Sequence, residues 1–173
     1  ACAELGELID EARGITGGAT PLGAEYQDTG AIRFYRTSDI HDCTLHPFGA
    51  AFLTTEQDRA LTRSRLAPND VVLTITGAHF GQSGVVMPYH LPGNISQHSV
   101  RMGIAKADPS YVVAYMESSY GQIMIWREAY GATRPAIDYP SVRGMLVRNP
   151  LMEVQVFIGE KLRQAERLRQ QTQ

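Results

Sequence analysis

Residues 66–86 read LAPNDVVLTITGAHFGQSGVV, and the fold class turns on them. APND (67–70) combines Pro, Asn and Asp, the chemistry of a turn. VVLTIT (71–76) is a run of β-branched and aliphatic residues, expected as a strand. GAHFGQSG (77–84) is punctuated by glycine and reads as a loop. GVVMPYH (84–90) is a second strand candidate. The segments around this strand–loop–strand unit mix strand and helix patterns, so the class is α/β (α+β).

Upstream, AIRFYRTSDI (31–40) sets Ile32 and Phe34 against Arg33 and Tyr35, a strand whose end carries Arg36, Thr37, Ser38 and Asp39. TTEQDRALTRSRL (54–66) opens on a threonine cap and reads as a helix. GITGGATPLG (14–23) is a loop by composition, and AELGELIDEAR before it suits a strand or one helical turn. Downstream, HSVRMGIA (98–105) alternates as a strand does. DPSYVVAYMESSYGQIMIWREAY (108–130) is a helix capped by Asp108 with Pro109 in its first position, and Gly121 ends or divides it. GATRPAIDYPSVRGMLVRNP (131–150) reads as loop, short strand and Pro-bounded turn.

The remainder is of another kind. In LMEVQVFIGEKLRQAERLRQQTQ, Leu151, Val154, Ile158, Leu162, Ala165 and Leu168 recur at three- and four-residue steps, with charged residues opposite. Residues 1–150 are thus expected as one globular domain and 151–173 as an amphipathic helix of coiled-coil type. Its stripe either docks a partner helix or folds back on its own domain.

Composition narrows the function. With 43% hydrophobic and 20% charged residues the chain can bury a core and is not disordered by composition. Cys2 and Cys43 do not make a disulfide scaffold, so a reducing cytoplasm is the expected setting. The net charge of −2 argues against a polyanion-binding surface over the whole domain. Fourteen of the sixteen basic residues are nonetheless Arg, whose planar fork matches phosphates and guanine edges. A GC-rich coding sequence would produce the same preference.

Catalytic constellations fail one by one. HDCTLH (41–46) places His41, Asp42, Cys43 and His46 together, but no CxxC or HxxxH supplies a second half, so no metal is expected. FGQSG misses the G-x-S-x-G elbow. TGAHFGQSG follows a strand but lacks the Gly-Lys-Ser/Thr that grips a nucleotide. No NPPY-type methyltransferase tetrapeptide is present. A metal- or histidine-dependent enzyme using His79 or His98 remains one alternative, and a protein-interaction module without DNA contact another.

The most polar stretch is GNISQHSVR (93–101), with Asn94, Ser96, Gln97, His98, Ser99 and Arg101 and no carboxylate. Such groups suit reading base edges: Asn or Gln pairs bidentately with adenine, Arg with guanine, and Ser, Thr and His make single bonds. A buried polar network bracing two loops would use the same inventory. The same chemistry recurs in Arg36, Thr37 and Ser38, in Thr76, Gly77, Ala78 and His79, and in Thr133 and Arg134, each beside an expected strand.

Five of these stretches, taken in order, resemble the target recognition domain of type I restriction–modification specificity subunits. GGATP followed by EYQDTGAIRFYRTSDI is similar to that family's opening; LAPNDVVLTITGAHFGQSGVV, NISQHSVRM, YVVAYMESSYGQIMI and GATRPAIDYPSVRGMLVRNPLMEVQVFIGEKL resemble its later segments. The resemblance implies a non-catalytic, cytoplasmic DNA-binding component of a methyltransferase complex, normally with two recognition domains joined by long helices. It implies double-stranded DNA, adenine methyltransferase subunits and, indirectly, a motor–nuclease subunit as partners, with S-adenosylmethionine on the methyltransferase and no cofactor in this chain. One recognition domain and a short tail helix depart from the pattern. The chain is expected to be a fragment, a half-size subunit that homodimerises, or a domain of a fused type II restriction–methyltransferase. On this reading Gln97 and Arg101 read bases, with Arg36, Thr37, Ser38, Thr76, Gly77, Ala78, His79, His98, Thr133 and Arg134 near the DNA.

Overall fold

The computed structural model describes residues 1–21 and 26–171. Leu22 and Gly23 of the expected loop, and the last two residues of the tail, lie outside them. The strands are β1 (Cys2–Glu4), β2 (Ile15–Gly17), β3 (Ile32–Tyr35), β4 (Ile40–His41), β5 (Thr44–Leu45), β6 (Ala51–Leu53), β7 (Val71–Thr74), β8 (Ser83–Val85), β9 (Gly93–Ile95), β10 (Ser99–Met102) and β11 (Leu146–Arg148). The helices are α1 (Leu5–Leu8), α2 (Thr55–Ala60), α3 (Pro109–Glu117), α4 (Ser119–Arg127), α5 (Tyr139–Gly144) and α6 (Met152–Gln171). This mixture of strands and helices is the expected α/β (α+β) class, closed by a C-terminal helix.

An antiparallel sheet in the order β2-β10-β7-β8 forms the centre. A second sheet, β6-β3-β9, pairs β3 with β9 in parallel. All four residues of β7 are buried because both its faces are covered. Val71 and Leu73 face α1, α3 and α5 in one core with Val100, Met102, Val112, Met116 and Val142. Val72 faces the other way, into a core with Tyr35, Ile40, Leu45, Val86 and Ile95. An unalternating VVLT run is thus what a central strand between two cores requires.

Several expectations need correction. Residues 14–23 are not all loop: Ile15–Gly17 is an edge strand paired with β10. Glycine permits it, because a Cβ on Gly18 would lie 2.2 Å from the Ser96 carbonyl oxygen. Tyr35 does not alternate outward; it is fully buried and donates its hydroxyl to the His90 carbonyl at 2.8 Å. The helix expected over 54–66 ends at Ala60, with a 3-10 turn at Thr62–Ser64 beyond it. Its cap is as expected: the Thr54 side chain accepts from the Gln57 amide at 3.1 Å. The 77–84 loop is shorter, since Ser83 already belongs to β8. The helix expected over 108–130 divides at Ser118, whose hydroxyl caps α4, and not at Gly121. Gly121 sits inside α4, where a Cβ would come within 2.1 Å of the Tyr115 carbonyl oxygen. In 131–150 the helix α5 was not anticipated; Asp138 caps it through the Ser141 amide at 2.8 Å.

The tail is helical as expected, but it buries a different face. Gln155, Gly159 and Glu166 are buried, with Leu162 and Arg163 beside them. Of the predicted stripe, Leu151, Val154, Ile158, Ala165 and Leu168 are exposed. The helix packs on α3 through polar contacts at that helix's start. Arg163 donates to both carboxylate oxygens of the α3 cap Asp108, at 3.0 and 2.9 Å, and Gln155 accepts from the Asp108 amide at 3.1 Å. A Cβ on Gly159 would fall 2.3 Å from Asp108 Oδ1, so only glycine admits this approach. The helix thus folds back on its own domain, while Leu151, Val154, Ile158, Ala165 and Leu168 of its apolar stripe remain exposed.

Candidate nucleic-acid interface

The candidate loops converge at one end of the central sheet. Beyond β7 the Ile75 amide donates to the His98 carbonyl at 2.9 Å, and the Ile137 amide returns to the Ile75 carbonyl at 3.0 Å. The Gly77 amide then donates to the Pro135 carbonyl at 3.2 Å. Segments 75–77, 97–98 and 133–137 are thus tied to one another by backbone bonds. Gly77 (φ 98°) and Gly131 (φ 87°) take the left-handed conformations these reversals need. The last loop is pinched at its base, where Tyr130 and Ala136 exchange two 2.9 Å bonds, and its tip carries Ala132, Thr133 and Arg134 to the surface.

On this platform the side chains point outward. Arg134 is exposed, and its Nη2 makes only a long 3.5 Å approach to His98 Nδ1. Ala78 and Gln97 are exposed; Thr76, Gly77, His79 and His98 are half-buried. Gln97 accepts a hydrogen bond from the Thr20 hydroxyl. Thr20 was not singled out in the sequence, although it stands in the GGATP stretch whose glycines lay that backbone against Ser96. The segments 76–79, 97–98 and 133–134 contain no carboxylate, so the assembled surface offers donors and neutral acceptors.

Arg36, Thr37 and Ser38 follow β3 at the same strand ends, since the Ser96 amide donates to the Tyr35 carbonyl at 3.2 Å. The Arg36 guanidinium is already engaged, with Asp39 Oδ2 at 3.3 Å and the Gly49 carbonyl at 2.5 Å. Ser38 is exposed and Thr37 half-buried.

The polar stretch 93–101 divides between its two readings. Asn94 is fully buried: its Oδ1 accepts from the Ser64 hydroxyl at 2.6 Å, and its amide donates to Asp58 Oδ1 at 3.2 Å. Arg101 corrects the expectation of a base reader. It is 6% exposed, and its guanidinium donates to the Arg63 carbonyl at 2.7 and 3.2 Å and to the Arg13 carbonyl at 3.1 Å. Burial, then the neighbouring Arg13 charge, pull its pKa below the usual guanidinium value. Arg101 is a brace between β10, the 3-10 turn after α2 and the chain before β2. Gln97 and His98 are left as the outward pair. Strand alternation could not separate these roles, because β10 is buried on both faces.

The HDCTLH stretch also assembles further than its sequence suggested. His41, Asp42 and His46 come together on the β4–β5 hairpin, while Cys43 packs toward the main core. Burial pushes the Cys43 thiol up to about 11.

No protein-family model matches this sequence, and no curated protein does. Solved structures do match. The chain superimposes on a structure from work on complex assembly and conformational transition of the type I R-M system, with a TM-score of 0.66 and 17% identity over 97% of this chain. It superimposes on the HsdS subunit from Thermoanaerobacter tengcongensis with a TM-score of 0.64 and 18% identity, again over 97%. The type I restriction-modification system S subunit from M. genitalium gives 0.61 and 11% over 93%. The fold is that of type I S subunits. The likeness to them takes in nearly the whole chain. In return, the chain spans 37–38% of each of those proteins. Among the described residues, no helix is long and apolar enough to cross a membrane.

Proposed function

We propose that this chain is a sequence-reading domain for double-stranded DNA, acting as part of a type I restriction–modification specificity subunit. It catalyses nothing itself and directs adenine methylation and restriction by partner subunits. The observation that carries the reading is the carboxylate-free platform on which Gln97, His98, His79 and Arg134 stand exposed or half-buried on loops tied together by backbone bonds, none of them locked inward as Arg101 is. Gln97 carries the amide chemistry that pairs with adenine once its oxygen is shared with or released from Thr20, and Arg134 offers a guanidinium to a phosphate or a guanine edge. Ala78 presents a methyl that suits thymine, and Thr133 and Thr76 add single hydrogen bonds. Thr37 and Ser38 serve the flanking backbone, where contacts position without specifying.

The exposed stripe of Leu151, Val154, Ile158, Ala165 and Leu168 is the surface offered to adenine methyltransferase subunits or to a second copy of this chain. The methyl donor then belongs to the methyltransferase, the motor–nuclease subunit joins through it, and the assembly works in the cytoplasm. The direct test is duplex binding over a salt series. Arg134→Ala weakens binding to all sequences alike and flattens the salt slope if the contact is to phosphate, whereas Gln97→Ala relaxes preference at one base position. Binding unchanged by both substitutions would remove the platform from the interface.

A further inference from the structure

The β4–β5 hairpin carries a second constellation, remote in purpose from the reading loops. His41 Nδ1 lies 2.9 Å from Asp42 Oδ2, and His46 Nε2 lies 3.8 Å from the same oxygen. The two imidazoles are stacked, with centroids 3.8 Å apart and planes 14° from parallel. One donor atom from each of the three side chains lies within 4.8 Å of the others. Donors on a tetrahedral zinc, at bonds of ~2.0–2.1 Å, sit about 3.4 Å apart, so closing the set draws the three donors together and turns the two rings out of their stack until their in-plane lone pairs converge. All three side chains have room for that, being 39%, 62% and 28% exposed for His41, Asp42 and His46.

The backbone beneath them is fixed. Asp42 (φ 54°) and Cys43 (φ 64°) are consecutive residues in the left-handed region, which suits a two-residue hairpin turn but disfavours both side chains. The turn is held in that shape by neighbours: the Val85 amide donates to the Cys43 carbonyl at 3.2 Å, and the His46 amide to the Asp39 carbonyl at 2.7 Å. His46 Nε2 is buried without a hydrogen-bond partner. It points toward the Asp42 carboxylate without reaching it, an arrangement a cation between the two would complete.

We propose that His41, Asp42 and His46 bind a divalent cation of the zinc type, with water or a partner's side chain in the remaining position. Two imidazoles and one carboxylate select a borderline ion such as Zn2+, Co2+ or Ni2+ over Mg2+ or Ca2+, which prefer all-oxygen shells. Arg169 lies beside the site and is paired with Glu166 at 2.8 Å. Its guanidinium also donates to the Asp42 carbonyl at 3.1 Å. A metal on the hairpin therefore stiffens the turn that anchors the last turn of α6, and links metal loading to the placement of that helix.

The test uses the full chain, stripped with a chelator and dialysed. Zinc is titrated against a chromophoric chelator, and Co2+ is added separately to read its visible d–d absorption. The proposal expects one equivalent of zinc per chain and a tetrahedral Co2+ spectrum. His41→Ala and His46→Ala each weaken zinc binding at least ~10-fold, the double variant abolishes it, and circular dichroism stays that of the parent. Three outcomes would overturn it: no zinc binding by the parent, stoichiometric binding that survives in the double variant, or Mg2+ competing with zinc on equal terms.

Discussion

Replacing Arg101 with Met separates bracing from reading most cleanly. Met keeps much of the apolar stem and removes the guanidinium. Three hydrogen bonds to the Arg63 and Arg13 carbonyls are lost, and both carbonyls lie in a region where Arg101 itself is 6% exposed. An uncompensated buried carbonyl costs about 1–3 kcal/mol. No carboxylate bonds to the guanidinium in return, so removing its own desolvation offsets part of that cost. The net expectation is a loss of roughly 2–4 kcal/mol, which at this chain length lowers Tm by roughly 5–12 °C. Urea and thermal unfolding by circular dichroism measure it. Arg101→Lys restores a charge but not the fork, and falls between the two. At a temperature where Arg101→Met is folded, its preference for DNA sequence matches the parent's. A variant of parental stability that had lost preference at one base pair would refute the bracing role and return Arg101 to the interface.

Three further outcomes follow from the packing. Gly159→Ala, which on a free helix would stabilise by up to ~1 kcal/mol, destabilises here by about 1–2 kcal/mol, because the new methyl displaces the Asp108 cap of α3; a raised Tm would contradict the docking of α6. His90 is fully buried, its Nδ1 accepts from the Met87 amide at 2.9 Å, and burial depresses its pKa to about 4. The unfolded chain takes up that proton first, so the contribution is intact above pH ~6.5 and is lost as pH falls toward 4, to a limit of about 3 kcal/mol. His90→Gln removes that part of the slope, and an identical pH dependence in variant and parent would show that His90 does not titrate this way. Val154→Glu with Ile158→Glu leaves the monomer's unfolding free energy within about 0.5 kcal/mol of the parent, since both positions are exposed, and abolishes any assembly that uses the proposed α6 surface; an assembly mass in analytical ultracentrifugation unchanged from the parent's would count against that surface.

What the sequence made legible is what local chemistry decides. The Asp108 and Thr54 caps, the APND turn and the start of the strand expected over 71–76 are each set by residues within a few positions and stand where their patterns placed them, though the strand ends at Thr74. The misses are long-range. Gly17 and Gly18 read as loop because glycine marks turns, yet Gly17 ends a strand paired with β10 and lies against the Tyr139 hydroxyl, and Gly18 lies against the Ser96 carbonyl. The face α6 buries is polar, chosen by Asp108 and the gap at Gly159, and no hydrophobic period announces that. For the reading platform, residue types were visible and directions were not. Gln97 and Arg101 look equivalent in GNISQHSVR, and only the position of the Arg63 and Arg13 carbonyls turns Arg101 inward. HDCTLH lacked a second pair of ligands in sequence, but the left-handed turn at Asp42 and Cys43 brings His46 back over His41.

The platform of residues 76–79, 97–98 and 133–134 is the surface proposed to read duplex sequence. The most direct measurement is selection of the purified chain on a random duplex library at low salt, followed by sequencing of the retained DNA, with Gln97→Ala run in parallel. The account predicts a short enriched motif for the parent and relaxation at one position of it for the variant. Absence of any motif, both for the chain alone and with an adenine methyltransferase partner present, would contradict it.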